Sequence, residues 1–263
     1  MIGPQLADEN LIESFRMHGR WQEPAEVCEQ NGVLMVAGSD SRPGLYRNCA
    51  MRLDPAVPAG KAFEQAIRFF GSRERGFVLL TRKRLDEDME SRLQDAGVFP
   101  RGSSPCMIIN RKLEAAPLPT GVYTAAIEDE SQLRDSVQVN MEAYRRLGVS
   151  SEDVAALFVN GDRVLNDNIS GVVAYKDGIP VATALTYFTG SSAGVYWVGT
   201  LNFAERQGLA GACTRLAVND GFERGARLVT LQSSTFGLPV YQRLGFRNYD
   251  GLSFYVFGRS QVS

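Results

Sequence analysis

Two stretches of this chain repeat each other at a fixed distance, and that repeat limits the fold more than any single motif. Gly60 to Gly97 spans 37 residues, Gly208 to Gly245 spans 37 again, and the offset between them is 148. At that offset "LQDAGV" (93–98) lies on "YQRLGF" (241–246). Self-similarity of this kind reads as two copies of one supersecondary unit. With 263 residues there is enough chain for two modest domains, each burying its own core. The stretch "RKLEAAPLPTGVY" (111–123) reads as the linker, because its prolines and glycine interrupt both periodic patterns. The expected division is 1–115 and 116–263.

Each half reads as hairpin, helix, strand, helix, strand. In the second half, two strand-like runs flank Asp177-Gly178, a strong hairpin signal, and "AGVYWVGTL" is a third strand rich in β-branched and aromatic residues. Leu209, Ala212, Cys213 and Leu216 then follow helical spacing, "RLVTLQ" is a buried strand, and "PVYQRLGF" is a short helix closed by Gly245. Residues 131–159 read as two helices broken at Gly148. In the first half, "GVLMVAG" and "YRNCAMRLD" form the hairpin, helices cover Gly60 to Phe70 and Asp86 to Ala96, and strands lie in "GFVLLT" and "CMIIN". The expected class is α/β (α+β), with a mixed, mostly antiparallel sheet flanked by helices in each half.

The two copies differ where chemistry would sit. "ERQGLAGAC" (205–213) puts Gly208 and Gly211 at the head of a helix, a position where each glycine weakens it. They serve either close packing or a ligand, because a helix N-terminus bares N–H groups and carries the positive end of the dipole, which together bind phosphate. In the first copy Phe63 stands where Gly211 does, and Leu93 where Tyr241 does. A packing role would call for the glycine in both copies, and only one has it. The turn is neither a P-loop nor a dinucleotide fingerprint, since both spacings are missing.

Formal net charge is −2, so no overall field draws nucleic acid or an anionic membrane. Arg82-Lys83-Arg84 runs straight into Asp86, Glu87 and Asp88, as a solvated helix start does. Four scattered cysteines and the single His18 supply neither a zinc site nor a disulfide framework, and no metal is expected. His18 has no nucleophile motif near it in sequence, and Cys213 lies on the apolar side of its helix as a small core residue. The N-terminus lacks a signal pattern, and a cytoplasmic protein is expected.

The run "VYWVGTL…ERQGLAGACTRLA…LVTLQSS…PVYQRLGF" resembles the GNAT superfamily of N-acetyltransferases over residues 170–257, and the order of elements extends the likeness to about 120–260. The resemblance implies a tandem form whose first half is degenerate. With Phe63 and Leu93 at the two key places, that half is expected to bind no cofactor, with Phe63 covering the turn near Gly60. In the family a motif of the form [RQ]xxGx[GA] binds the pyrophosphate of acetyl-CoA through backbone amides. Here Arg206, Gln207, Gly208, Leu209, Ala210 and Gly211 hold that place, with Gln207 or Arg206 at the first position according to register. The strand before it, with Trp197, Val198, Gly199 and Thr200, would splay from its neighbour and pair with pantetheine. Tyr241, in YxxxGF, would protonate the leaving thiolate. The sequence departs from the family at two points. Ser234 stands where an asparagine is frequent, and "GVYWVGT" has no acid to act as base.

The resemblance therefore implies acetyl transfer from acetyl-CoA, as co-substrate, to an amine of a small molecule or peptide. Tyr144, Arg145, Tyr187 and Trp197 are the candidates for lining the acceptor side. Two rivals stay open: a non-catalytic acyl-CoA-binding module, favoured by the missing acid, and an acyltransferase using a longer acyl chain. Neither nucleic acid nor membrane is an expected partner. A homodimer is compatible with the sequence, which fixes no oligomeric state.

Overall fold

A computed structural model describes residues 2–262. In chain order the elements are α1 (Ile2–Trp21), β1 (Glu26–Gln30), β2 (Val33–Ala37), β3 (Asn48–Arg52), α2 (Ala59–Gly71), β4 (Phe77–Arg82), α3 (Glu87–Asp95) and β5 (Gly102–Ile109). There follow β6 (Val122–Ala126), α4 (Glu130–Ala143), a 3-10 turn (Tyr144–Leu147), α5 (Ser151–Leu157), α6 (Gly161–Val164), β7 (Ile169–Lys176), β8 (Ile179–Thr189) and β9 (Ser192–Thr200). The last are α7 (Leu209–Glu223), β10 (Leu228–Gln232), α8 (Leu238–Leu244) and β11 (Arg247–Phe257). The expected strands and helices of both halves are present. Helix α1 and strands β1 and β6 lie where the sequence pattern gave no element.

The chain divides into two units, though not by one cut at 115/116. The first unit is Ser14–Cys106 with Asn248–Ser263, and the second is Met1–Glu13 with Met107–Arg247. Strand pairing and side-chain hydrogen bonds account for the exchange. In the first unit β11 pairs antiparallel with β4, from Leu252↔Arg82 to Phe257↔Phe77, so the C-terminal segment completes that sheet. In the second, Asn10 donates to the Tyr187 carbonyl at 2.9 Å and Ser192 Oγ donates to the Leu6 carbonyl at 3.1 Å, which ties the N-terminal segment there.

In the first unit the sheet order is β1-β2-β3-β4-β11, followed by the start of β5. Only β3 and β4 run parallel among its registered pairs. Its core joins Ala62, Ala66 and Phe70 of α2 to Phe77, Leu79, Tyr255 and Phe257. Phe63 is partly buried and packs against this core, its ring 5.1 Å from that of Phe257. It therefore does not cover the head of α2. Instead Arg92 of α3 lies there, its guanidinium carbon 3.4 Å from where a Cβ on Gly60 would stand.

In the second unit the order runs from the end of β5 through β10-β9-β8-β7-β6. β6 to β9 form an antiparallel meander, and β10 lies parallel to β9. The β7–β8 turn is Asp177 (φ 53°) and Gly178 (φ 79°), as a two-residue hairpin with matching twist requires. One face of the sheet packs against α7, where Ala182, Ala184, Ala193 and Val195 meet Leu209, Cys213 and Ala217. Thr183 of β8 points the other way, sharing a hydrogen bond with Ser136 of α4 at 2.7 Å.

Candidate active site in the second unit

The parallel pairing of β10 with β9 is short, running from Leu228↔Ser192 only to Thr230↔Gly194. β9 continues to Thr200, paired on its other side with β8. β10 ends at Gln232, so beyond Gly194 the edge of β9 on that side has no registered strand partner. Within this free length lies a bulge. Tyr196 pairs with Leu185 and Gly199 with Thr183, so Trp197 and Val198 together face Ala184. Trp197 takes a φ of 51°, a conformation that a large side chain adopts only when its surroundings impose it. Bulges re-aim backbone and side chains next to functional sites.

Next to this edge, α7 begins. Arg206 (φ 59°) and Gly208 (φ 81°) both lie in the left-handed region, and Gly208 is the N-cap. No side chain caps the helix and its first turn carries no acid, so the amides of Leu209, Ala210 and Gly211 lack a side-chain acceptor. The packing reading of the two glycines fails on geometry. A Cβ on Gly208 would meet nothing within 4 Å, and one on Gly211 would have only Val240 Cγ1, at 3.8 Å. By contrast Gly221, farther along the helix, would press a Cβ to 3.0 Å from that of Ala193 and is a true packing glycine. The left-handed backbone of Gly208 itself calls for glycine, and neither glycine has a close neighbour that packing would serve. The Gln207 side chain accepts from Lys176 Nζ at 2.9 Å and donates to the Phe203 carbonyl at 3.3 Å, so it braces the turn, while Arg206 is exposed.

Tyr241 sits on the buried face of α8, whose Val240 is the neighbour of Gly211 just described. Its ring meets Phe246 edge-on at 5.9 Å, and its hydroxyl has no hydrogen-bond partner among the described residues. Burial pushes the phenol well above its ordinary pKa, so it keeps its proton throughout the neutral range. Ser234 braces the start of α8: its Oγ accepts from the Gly237 amide at 3.1 Å and its carbonyl from Leu238 at 3.0 Å. Thr200 closes β9 with a buried hydroxyl that lacks a partner among the described residues.

Trp197, Tyr144 and Phe158 form an aromatic cluster, with ring centroids 5.0 Å (Tyr144) and 5.1 Å (Phe158) from Trp197. Arg145, beside Tyr144, is exposed. Tyr187 is not part of this wall. It is fully buried, stacked on Tyr196 at 4.4 Å, and pairs with Gly194, before the strands part. Cys213 is buried in the core, its thiol pushed up to about 12 by that burial, as befits a packing residue. Sequence reasoning missed four residues. Arg146 pairs with Glu205 and lies over the Phe236 ring at 4.8 Å, linking the turn after α4, the glycine turn and the approach to α8. The fourth is Asn140, buried on the apolar face of α4; a polar residue in register with Leu133, Ser136 and Ala143 was its only signal.

Among the described residues there is no cluster of histidine, cysteine or acidic side chains that could hold a metal, and no helix long and apolar enough to cross a membrane. No protein-family model and no curated protein matches the sequence. Solved structures do. A GCN5-related N-acetyltransferase from Kribbella flavida is 21% identical, with a TM-score of 0.72 over 95% of each chain. A second such protein, from Sphaerobacter thermophilus, is 16% identical with a TM-score of 0.63, covering 89% of this chain and 76% of its own. A tandem GNAT protein from the clavulanic acid biosynthesis pathway is 12% identical with a TM-score of 0.63, covering 96% of this chain and 95% of its own. With its two units, strand order and parted parallel strands, the chain has the fold of the tandem GNAT N-acetyltransferases.

Proposed function

We propose that the second unit is an acetyltransferase that moves the acetyl group of acetyl-CoA to an amine of a small molecule or peptide by direct attack. One observation carries the reading: an uncapped helix start, with glycines facing open space, stands beside a strand edge freed by the parting of β9 and β10. An uncapped N-terminus suits a pyrophosphate, and a free strand edge suits the amide groups of pantetheine. The amides of Leu209, Ala210 and Gly211 bind the pyrophosphate, with Arg206 beside them. Val198, Gly199 and Thr200 offer backbone to the pantetheine arm, and the Val198 amide is the donor assigned to the carbonyl oxygen as charge develops on it. Tyr241, holding its proton, gives it to the sulfur. Trp197 and Tyr144 wall the acceptor side, which suits an apolar or cationic amine.

The first unit is expected to leave the coenzyme alone. A second reading, a coenzyme-binding module without catalysis, is favoured by one feature, the lack of any acid on β9. Release of free thiol from acetyl-CoA, measured against a panel of amines, separates the two. Amine-dependent release supports transfer, and tight binding with no release supports the module. Competition by longer acyl-CoAs then tests the acyl length.

A further inference from the structure

The second unit buries two asparagines, each over a glycine of β9, and only one of them is satisfied. Asn10 Oδ1 lies 2.0 Å from where a Cβ on Gly194 would stand. It accepts from the Tyr196 hydroxyl at 2.9 Å, and its Nδ2 donates to the Tyr187 carbonyl at 2.9 Å and to Thr189 Oγ1 at 3.3 Å. Asn140 repeats the arrangement at Gly199, with its Oδ1 2.4 Å from the corresponding point. It too is 0% exposed, yet neither Oδ1 nor Nδ2 has a partner among the described residues. A buried amide left unpaired is costly, and native proteins satisfy such groups with protein, ligand or ordered water.

Its position says what the partner serves. Gly199 directly follows the Trp197–Val198 bulge. Tyr144 of the aromatic wall lies four residues after Asn140, so the two share one side of the α4 segment, a turn apart. The proposed acceptor amine must shed a proton in this neighbourhood, and β9 offers no carboxylate to receive it.

We propose that Asn140 holds one ordered water beneath the β9 bulge, and that this water takes the proton leaving the acceptor amine. The proposal rests on the acetyltransferase reading. The nitrogen lone pair forms the new N–C bond, and the C–S bond breaks with its electrons passing to sulfur. The N–H proton goes to the water and on to solvent, and the sulfur receives the proton of Tyr241. Asn140 stays neutral throughout. Its Oδ1 accepts from the water and its Nδ2 donates to it, so it is a positioning residue rather than a base.

The test combines a high-resolution crystal structure of the full chain with Asn140→Leu and Asn140→Asp. Density for a water is expected within about 3 Å of Oδ1 and Nδ2. In Asn140→Leu the kcat with amine should fall by about 10- to 100-fold, with KM for acetyl-CoA unchanged and thermal stability equal or higher. Asn140→Asp should restore much of the rate only above the raised ionisation of a buried carboxylate, adding a limb to the kcat–pH profile that the parent lacks. Full kcat in Asn140→Leu would overturn the relay, as would density showing both amide atoms on protein partners and no water. If the parent protein releases no thiol with any amine, the transfer reading falls and the relay with it, and the water site is then decided by the density alone.

Discussion

The first unit begins the helix that corresponds to α7 in another way, and the contrast shows what turns a common scaffold into a binding site. At the offset of 148, Gly60 matches Gly208, and Arg52 matches Thr200, each of the latter pair closing its strand. In the first unit the parallel pairing of β3 with β4 runs to Met51, one residue short of the strand end, so no gap opens. In the second it stops at Gly194, six residues short. Helix α2 starts after Pro58 with ordinary backbone, whereas α7 starts from a left-handed glycine. Where Thr200 has a buried hydroxyl and no partner among the described residues, Arg52 fills the space: it is fully buried, bonded to Asp86 at 2.8 Å, to Asp88, and to the carbonyls of Val57 and Leu85. One unit spends this region on an ion network and the other leaves it open. A binding site on this scaffold therefore needs parted strands and a bare helix start together.

Substitutions can break that contrast, the strongest first. Gly211→Phe crowds a ring beside Val240 at the head of α7, and should weaken acetyl-CoA binding by more than about 100-fold in calorimetry. Arg52→Leu removes the closer of the two cations that face buried Asp86, leaving Arg82 at 3.6 Å, and should destabilise the protein by about 3–5 kcal/mol in denaturant titration, without creating a second coenzyme site. Tyr241→Phe should lower turnover by about 100-fold, equivalent to about 2.7 kcal/mol, with little change in coenzyme affinity; full turnover would leave its hydroxyl without a catalytic role.

Smaller effects sharpen the comparison. His18, in the first unit, is buried and stacked on Tyr46, and burial lowers its pKa from 6.5 to about 3. The unfolded chain then takes up a proton that the folded chain refuses. The stability due to neutral His18 is thus complete above about 6.5 and falls with pH below it, by about 1.4 kcal/mol per unit while the folded ring stays neutral. Denaturation midpoints between pH 4.5 and 7 should be flatter in His18→Phe. Smallest of all, Gly221→Ala should cost about 1–3 kcal/mol by overpacking, whereas Gly211→Ala, with room for its methyl, should be neutral or stabilise by up to about 1 kcal/mol.

Much of this could be read from the sequence, because local chemistry dictates it. Asp177-Gly178 demanded a tight hairpin, Gly245 demanded a left-handed helix end, and the helical spacing after Leu209 put Cys213 in the core. What stayed hidden depends on contacts distant in sequence. The exchange of terminal segments follows from β11 pairing with β4, about 170 residues away in the chain, which no periodicity announces. The aromatic stretch around Tyr187 looked like a wall, but its place before the strands part makes it core. Asn140 showed only as a polar residue on an apolar face, and its meaning came from Gly199 opposite it.

The central claim is that one open helix start, and not its counterpart, receives the coenzyme. Crystals of the full chain soaked with acetyl-CoA test it directly. The account predicts one coenzyme per chain, its pyrophosphate oxygens within about 3 Å of the amide nitrogens of Leu209, Ala210 and Gly211, and its pantetheine along the free edge of β9. A coenzyme at the head of α2 near Gly60, or one bound elsewhere with the start of α7 bare, would contradict it.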